Sequence, residues 1–178
     1  MHISESLSGH EGEIIALFQS TFTASEGAEE GQIISKLAKE LLLGTAEGDI
    51  HAFWASQSGA LTGAIIFSRL TYVQQAEVFV LGPVAVLPDH QHQGVGSTLI
   101  HAGLQRIAEA GVKIAMTYGD PAYYTRFGFE QITETQAPAP FPLQHPHGWL
   151  GRSLTTAPLP RLTGRPRPVT AFDDPAYW

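Results

Sequence analysis

Apolar residues recur along this chain with two different periods, and the changes between them lay out its elements. Between residues 29 and 43, Ile33, Ile34, Leu37 and Leu41 share one face at helical spacing, and Gly44 is placed to end the run. An earlier helix is expected to start at Ser8-Gly9-His10-Glu11, which has the form of a capping box, and to run to about residue 22. Residues 3–5 could supply a short strand ahead of it. Residues 51–56 and 63–72 are apolar, β-branched or aromatic runs parted by Ser58-Gly59, the pattern of a hairpin. A third run, 77–86, is interrupted by Gly82-Pro83; proline removes a ladder hydrogen bond, so a bulge or bend is expected there. After a polar turn at 88–93, Leu99, Gly103 and Ile107 predict a helix over about 96–110, stopped by Gly111. Residues 113–118 predict the next strand.

Strand, glycine-rich turn, helix and strand in that order make one βαβ-like unit late in a chain of hairpins. The class expected is α+β, a mixed α/β three-layer arrangement. Residues 129–133 and 149–154 are further strand candidates, and Pro138, Pro140, Pro142 and Pro146 force an extended connection between them. Periodicity fades from residue 158 onward, and no internal repeat is visible. The expectation is a single domain over 1–178, with a core of about 1–155 and a proline-rich segment 156–178. A chain of 178 residues buries enough surface to need no staples.

Composition narrows the function. There is no cysteine, which removes disulfides, thiolate metal sites and a covalent acyl-cysteine intermediate. A net charge of −7 argues against gripping nucleic-acid phosphates, and the arginines between 152 and 167 read as a solvated surface. No apolar stretch is long enough to span a membrane and no leader pattern opens the chain, so no membrane is expected and the location expected is cytoplasmic.

The chemistry concentrates where residues 84–97 lead from a strand through glycines into a helix. Such a turn leaves several backbone N–H groups without intrahelical partners, where the helix dipole favours negative charge. A phosphate or pyrophosphate fits such a place. Gly94 and Gly96 would let it approach, although glycines at a strand-to-helix turn also serve backbone geometry alone. A dinucleotide fingerprint is not completed, because Leu99 occupies its last position. A P-loop is not completed either, since no Lys-Ser/Thr pair follows.

Gln91-x-x-Gly94-x-Gly96, preceded by residues 83–89 and followed about thirty residues on by Tyr123-Tyr124-x-x-Phe127-Gly128-Phe129, resembles the GNAT acetyltransferases and in particular their YhbS-like branch. The specific part of the resemblance is 77–132. It implies a central, mostly antiparallel sheet, flanked by helices and splayed where acetyl-CoA binds. It implies that the amides of Gln91, His92, Gln93, Gly94, Val95, Gly96 and Ser97 cradle the CoA pyrophosphate, and that Val84 and Val86 pair with pantetheine. An N–H near Ala85 would steady the oxyanion formed when a neutral amine attacks the thioester directly. Tyr124 matches the tyrosine that many relatives use as general acid toward the CoA sulfur. Asp120 and Tyr123 fall on the cofactor side, with Arg126 within reach of a CoA phosphate.

The resemblance leaves the general base open. The carboxylate that some relatives carry on the splayed strand aligns near Val80, which accepts no proton; Glu77 and Glu30 are the remaining candidates. The acceptor is an unidentified amine, a homodimer is a further implied partner, and a non-catalytic CoA-binding module is the rival reading. A metal is not expected: among eight histidines, His90, His92 and His101 are near in sequence, but no carboxylate or thiolate completes a ligand set. His145 and His147 stand in the proline-rich connection without an assigned role.

Overall fold

The computed structural model describes residues 1–178. Its elements in chain order are β1 (His2–Ser4), α1 (Glu11–Glu26), α2 (Ala28–Gly44), β2 (Ile50–Gln57), β3 (Ala60–Thr71), β4 (Val78–Val86), α3 (Val95–Glu109), β5 (Ile114–Tyr118), α4 (Pro121–Tyr124), β6 (Glu130–Gln131), β7 (Trp149–Ser153) and β8 (Arg167–Pro168). The eight strands form one sheet in the order β1-β2-β3-β4-β5-β7-β6, with β8 added to β3. β4 and β5 are parallel and joined through α3, which is the βαβ-like unit expected; the β1–β2, β3–β8, β5–β7 and β6–β7 pairs are antiparallel. The class is α+β. By internal contacts the chain divides into two compact units, residues 1–67 with 83–103, and residues 68–82 with 104–178.

In the first unit, α1 and α2 turn back on each other at Gly27, whose φ of 101° suits glycine. They bury Ile14, Leu17, Phe18, Ile34, Leu37, Ala38 and Leu41. The expected capping box does not form. The N-cap of α1 is His10, without a side-chain cap, and α1 runs past residue 22 to Glu26 because the stop signal is Gly27. The hairpin of β2 and β3 turns on Ser58 and Gly59, both at positive φ (51° and 83°), as a two-residue hairpin turn requires. Gly103 sits in mid-helix because a Cβ there would lie 2.8 Å from both Ile65 and Phe67; the missing side chain lets α3 approach the strands.

In the second unit, the β4–β5 ladder runs from Val78↔Ile114 to Leu81↔Thr117 and ends one residue before Gly82-Pro83. β4 itself continues to Val86 as one strand, so the interruption ends the pairing rather than the strand. Thr117 Oγ1 donates to Leu81 O at 3.0 Å across the last rung. Beyond residue 155 the chain adds β8 to β3 and buries Leu162, Phe172 and Trp178. Trp178 Nε1 donates to Phe172 O at 3.1 Å, and Trp149 Nε1 to Ala137 O at 2.9 Å.

Candidate functional site

In the first unit the strand-to-helix turn is braced from within. Gln91 Nε2 donates to Val86 O at 3.0 Å, and Gln93 Nε2 donates to Asp89 O at 2.8 Å. The Gln91 amide is itself spent on Pro88 O at 3.2 Å. The two glutamines therefore shape the loop with their side chains. The helical ladder of α3 opens with Thr98 N donating to Gly94 O at 2.9 Å, which leaves Val95, Gly96 and Ser97 as first-turn amides with no intrahelical acceptor. His92 and Gly94 both hold positive φ, 58° and 82°, and an added Cβ on Gly94 would meet nothing within 4 Å. Open space thus faces the loop at its glycine, at the positive end of a 15-residue helix. The donor set suits an anion, and the cradle is one that phosphate oxygens fit.

Val84, Ala85 and Val86 form the end of β4 before this loop. Ala85 is buried, and its carbonyl lies 3.0 Å from where a Cβ on Gly63 would sit, so Gly63 permits the close strand approach. His90, beside the loop, has its ring Nδ1 enclosed without a partner. Its sequence context is no different from that of exposed His92, so nothing in the pattern singled it out. Glu30 lies half-buried in the first turn of α2.

In the second unit the aromatic motif gathers around Tyr124. Its ring packs on Gly119, where a Cβ would be 2.7 Å away, and contacts Tyr123 and Phe129 edge-on at 5.0 and 5.9 Å between centroids. Burial pushes the Tyr124 phenol up to about 12; Tyr123 and Asp120 add to that, while Thr117 hydrogen bonding acts against it. Tyr123 is also raised by burial, opposed by the Arg126 charge. Arg126 lies over the Tyr123 ring at 4.7 Å and over Phe127 at 5.5 Å, with its guanidinium head exposed. Asp120 caps α4, its Oδ1 accepting from Ala122 N at 2.9 Å. Glu77 forms an ion pair with Arg69 at 2.6 Å, and its carbonyl receives the Lys113 and Ile114 amides.

A family profile for the acetyltransferase (GNAT) domain matches residues 49–131. The uncharacterized N-acetyltransferase YjhQ of Escherichia coli K12 is 34% identical over 119 residues, 64% of this chain and 65% of YjhQ. Its counterpart YhbS is 32% identical over 121 residues, 66% of each chain. The matched region thus spans just under two thirds of these relatives' length. Among solved structures, E. coli YhbS in complex with CoA superposes with a TM-score of 0.79 at 23% identity, over 97% of this chain and 92% of that one. A GNAT family acetyltransferase from Brucella melitensis in complex with acetyl-CoA gives 0.68 at 25% identity, over 97% of each. Residues 49–131 thus match a GNAT acetyltransferase domain, the chain shares the GNAT fold, and it is similar to YjhQ and YhbS over about two thirds of its length.

Proposed function

We propose that this chain is an acetyl-CoA-dependent N-acetyltransferase that passes an acetyl group directly to a primary amine of a small molecule or peptide, in a ternary complex. The observation that carries the reading is the start of α3, where unpartnered first-turn amides stand beside open space at Gly94. The CoA and acetyl-CoA complexes of the two solved relatives support it. Acetyl-CoA brings the activated thioester; the chain supplies position and charge. In this reading the amides from His92 to Ser97 hold the pyrophosphate, with Gln91 and Gln93 fixing the loop's shape. Val84 and Val86 offer backbone groups to pantetheine, and an N–H near Ala85 faces the developing oxyanion, a donor worth roughly 3 kcal/mol.

Tyr124 holds its proton at every working pH, since its pKa is raised to about 12. An ordinary thiol lies near about 8.5, so full proton transfer to the thiolate is uphill. Tyr124 therefore acts first as a hydrogen-bond donor to the sulfur as negative charge builds there. Of the two carboxylates considered as base, Glu30 is the one outside an ion pair. A second reading, a CoA-binding module without turnover, draws on the commitment of Glu77 to Arg69.

Calorimetry with acetyl-CoA and a thiol-release assay against a panel of primary amines separate the two. Saturable binding with amine-dependent release of CoA is expected, and Gly96→Phe should abolish both. Binding undiminished in the folded Gly96→Phe protein would remove the loop from the cofactor site, and binding without release for any amine would favour the module.

A further inference from the structure

The second unit contains a cavity of about 410 Å³ at the end of β5, lined by Tyr118, Gly119 and Asp120 on one side and by His145, His147 and Gly148 on the other. Its walls are held in place. His145 N donates to the Tyr118 hydroxyl at 2.7 Å, Gly119 N to Gly148 O at 3.0 Å, and Gly148 N to His145 O at 2.8 Å. A Cβ on Gly148 would lie 2.9 Å from Gly119 O, so the two segments meet backbone to backbone. The size is that of a small-molecule site.

The polar side chains lining this cavity are one carboxylate, two imidazoles and the Tyr118 hydroxyl, each able to accept a hydrogen bond. Asp120 uses Oδ1 on Ala122 N, and its second oxygen has no partner. His145 and His147 stand 5.9 Å apart at 67°, and neither ring makes a hydrogen bond. No Lys or Arg lines the cavity, so an anionic ligand would find a carboxylate and no countercharge. A metal ion needs its ligands converged, and no three His, Cys, Asp or Glu side chains meet that condition. An organic cation does not need it: its ammonium can pair with the carboxylate through one N–H while an imidazole accepts from another.

We infer that this cavity receives the ammonium end of the amine acceptor, with Asp120 supplying the charge and the His145 and His147 imidazoles accepting the proton. The inference rests on the acyltransferase reading and assigns Asp120 to the acceptor instead of the cofactor, whose phosphates a carboxylate would repel. In the step itself one N–H bond of the ammonium breaks, its electron pair stays on nitrogen as the nucleophile, and the proton passes to an imidazole. Both rings are exposed and return it to solvent.

The test uses 1-aminohexane hydrochloride, with 1-hexanol as the uncharged control, and follows the imidazole Hε1 resonances of the whole protein by NMR. His145→Gln and His147→Gln assign the two signals. Asp120→Asn removes the charge and keeps a side chain that caps α4. Saturable shifts of both signals with the amine are expected, with none from the alcohol. Affinity should fall about ten-fold in Asp120→Asn, as loss of one hydrogen-bonded charge predicts. Unresponsive imidazoles, or equal affinity in Asp120→Asn, would overturn the inference while acetyl-CoA binding left the acyltransferase reading standing. Absence of acetyl-CoA binding by the wild type would overturn both.

Discussion

At the scale of single residues, Tyr124 concentrates the most testable chemistry. Its phenol is raised from 10.0 to about 12 because burial penalises the phenolate. The folded protein therefore holds this proton at pH values where the unfolded chain releases it. Below pH 10 both states are protonated and the residue adds no pH dependence. Between pH 10 and 12 the unfolded state binds fewer protons, so stability falls as pH rises, by up to about 1.4 kcal/mol per unit. Urea denaturation at pH 9 and pH 11 should show a larger alkaline loss in the wild type than in Tyr124→Phe. Buried Tyr72 is raised too, but it is present in both proteins and cancels in the comparison. Equal losses would mean that the Tyr124 hydroxyl is solvated. In the amine assay Tyr124→Phe should lower kcat about a hundred-fold while acetyl-CoA affinity is kept, the low end of what a positioned donor contributes. The sequence made this tyrosine legible through its place four residues before Gly128. Its desolvation depends on Gly119 and Thr117, which no local pattern ties to it.

At the scale of elements, two glycines in the helical hairpin should respond in opposite directions. Gly31 of α2 faces α1 so closely that a Cβ would lie 1.9 Å from Thr23 Oγ1 and 2.9 Å from Gln19 O. The hydroxyl can rotate away, but the carbonyl belongs to the α1 backbone and cannot. Gly31→Ala should force the helices apart and cost about 1–3 kcal/mol, the range for overpacking. Gly12, in the first turn of α1, has nothing within 4 Å of a Cβ. Gly12→Ala should stabilise by roughly 0.5–1 kcal/mol through helix propensity alone. Thermal denaturation of both variants checks the pair, and a stabilising Gly31→Ala would contradict the close approach. The same contrast shows why some elements could be read from sequence and others not. The hairpin at Ser58-Gly59, the stop at Gly111 and the end of the β4–β5 ladder near Gly82-Pro83 are each signalled by residues within the element. The end of α1 was not: the helix continues past residue 22 to Glu26, and its C-cap, Gly27, is at the same time the N-cap of α2. β8 has two residues, one of them proline, and exists through its register with Leu70 and Thr71. No window of sequence contains that partnership.

For the molecule as a whole, the proposed function asks how a chain of net charge −7 would take up a polyanion such as acetyl-CoA. The loop proposed to hold the pyrophosphate contains no Lys or Arg between residues 91 and 98, so its attraction comes from amide dipoles at a helix start. That attraction is short-ranged and partly shielded from salt by contact. The opposing field of the net charge is long-ranged and screened over about 10 Å at 0.1 M salt. The two effects act at different stages: repulsion slows the approach, and the amides slow the departure. Raising the ionic strength should therefore speed association of acetyl-CoA by a few-fold and leave dissociation nearly unchanged, the reverse of a site built from basic side chains. Stopped-flow binding at low and physiological salt reads both rates. Association that slows with salt would mean that cations such as Arg126, exposed above the Tyr123 ring, dominate the encounter. Arg126→Ala would then be expected to abolish that salt dependence, whereas in the amide-led case it leaves the rising trend intact. The loop's glycines were legible in the sequence because chemistry at a helix N-terminus is local. The cavity of Asp120, His145 and His147 was not, because it exists only once Gly148 meets Gly119 across nearly thirty residues of chain.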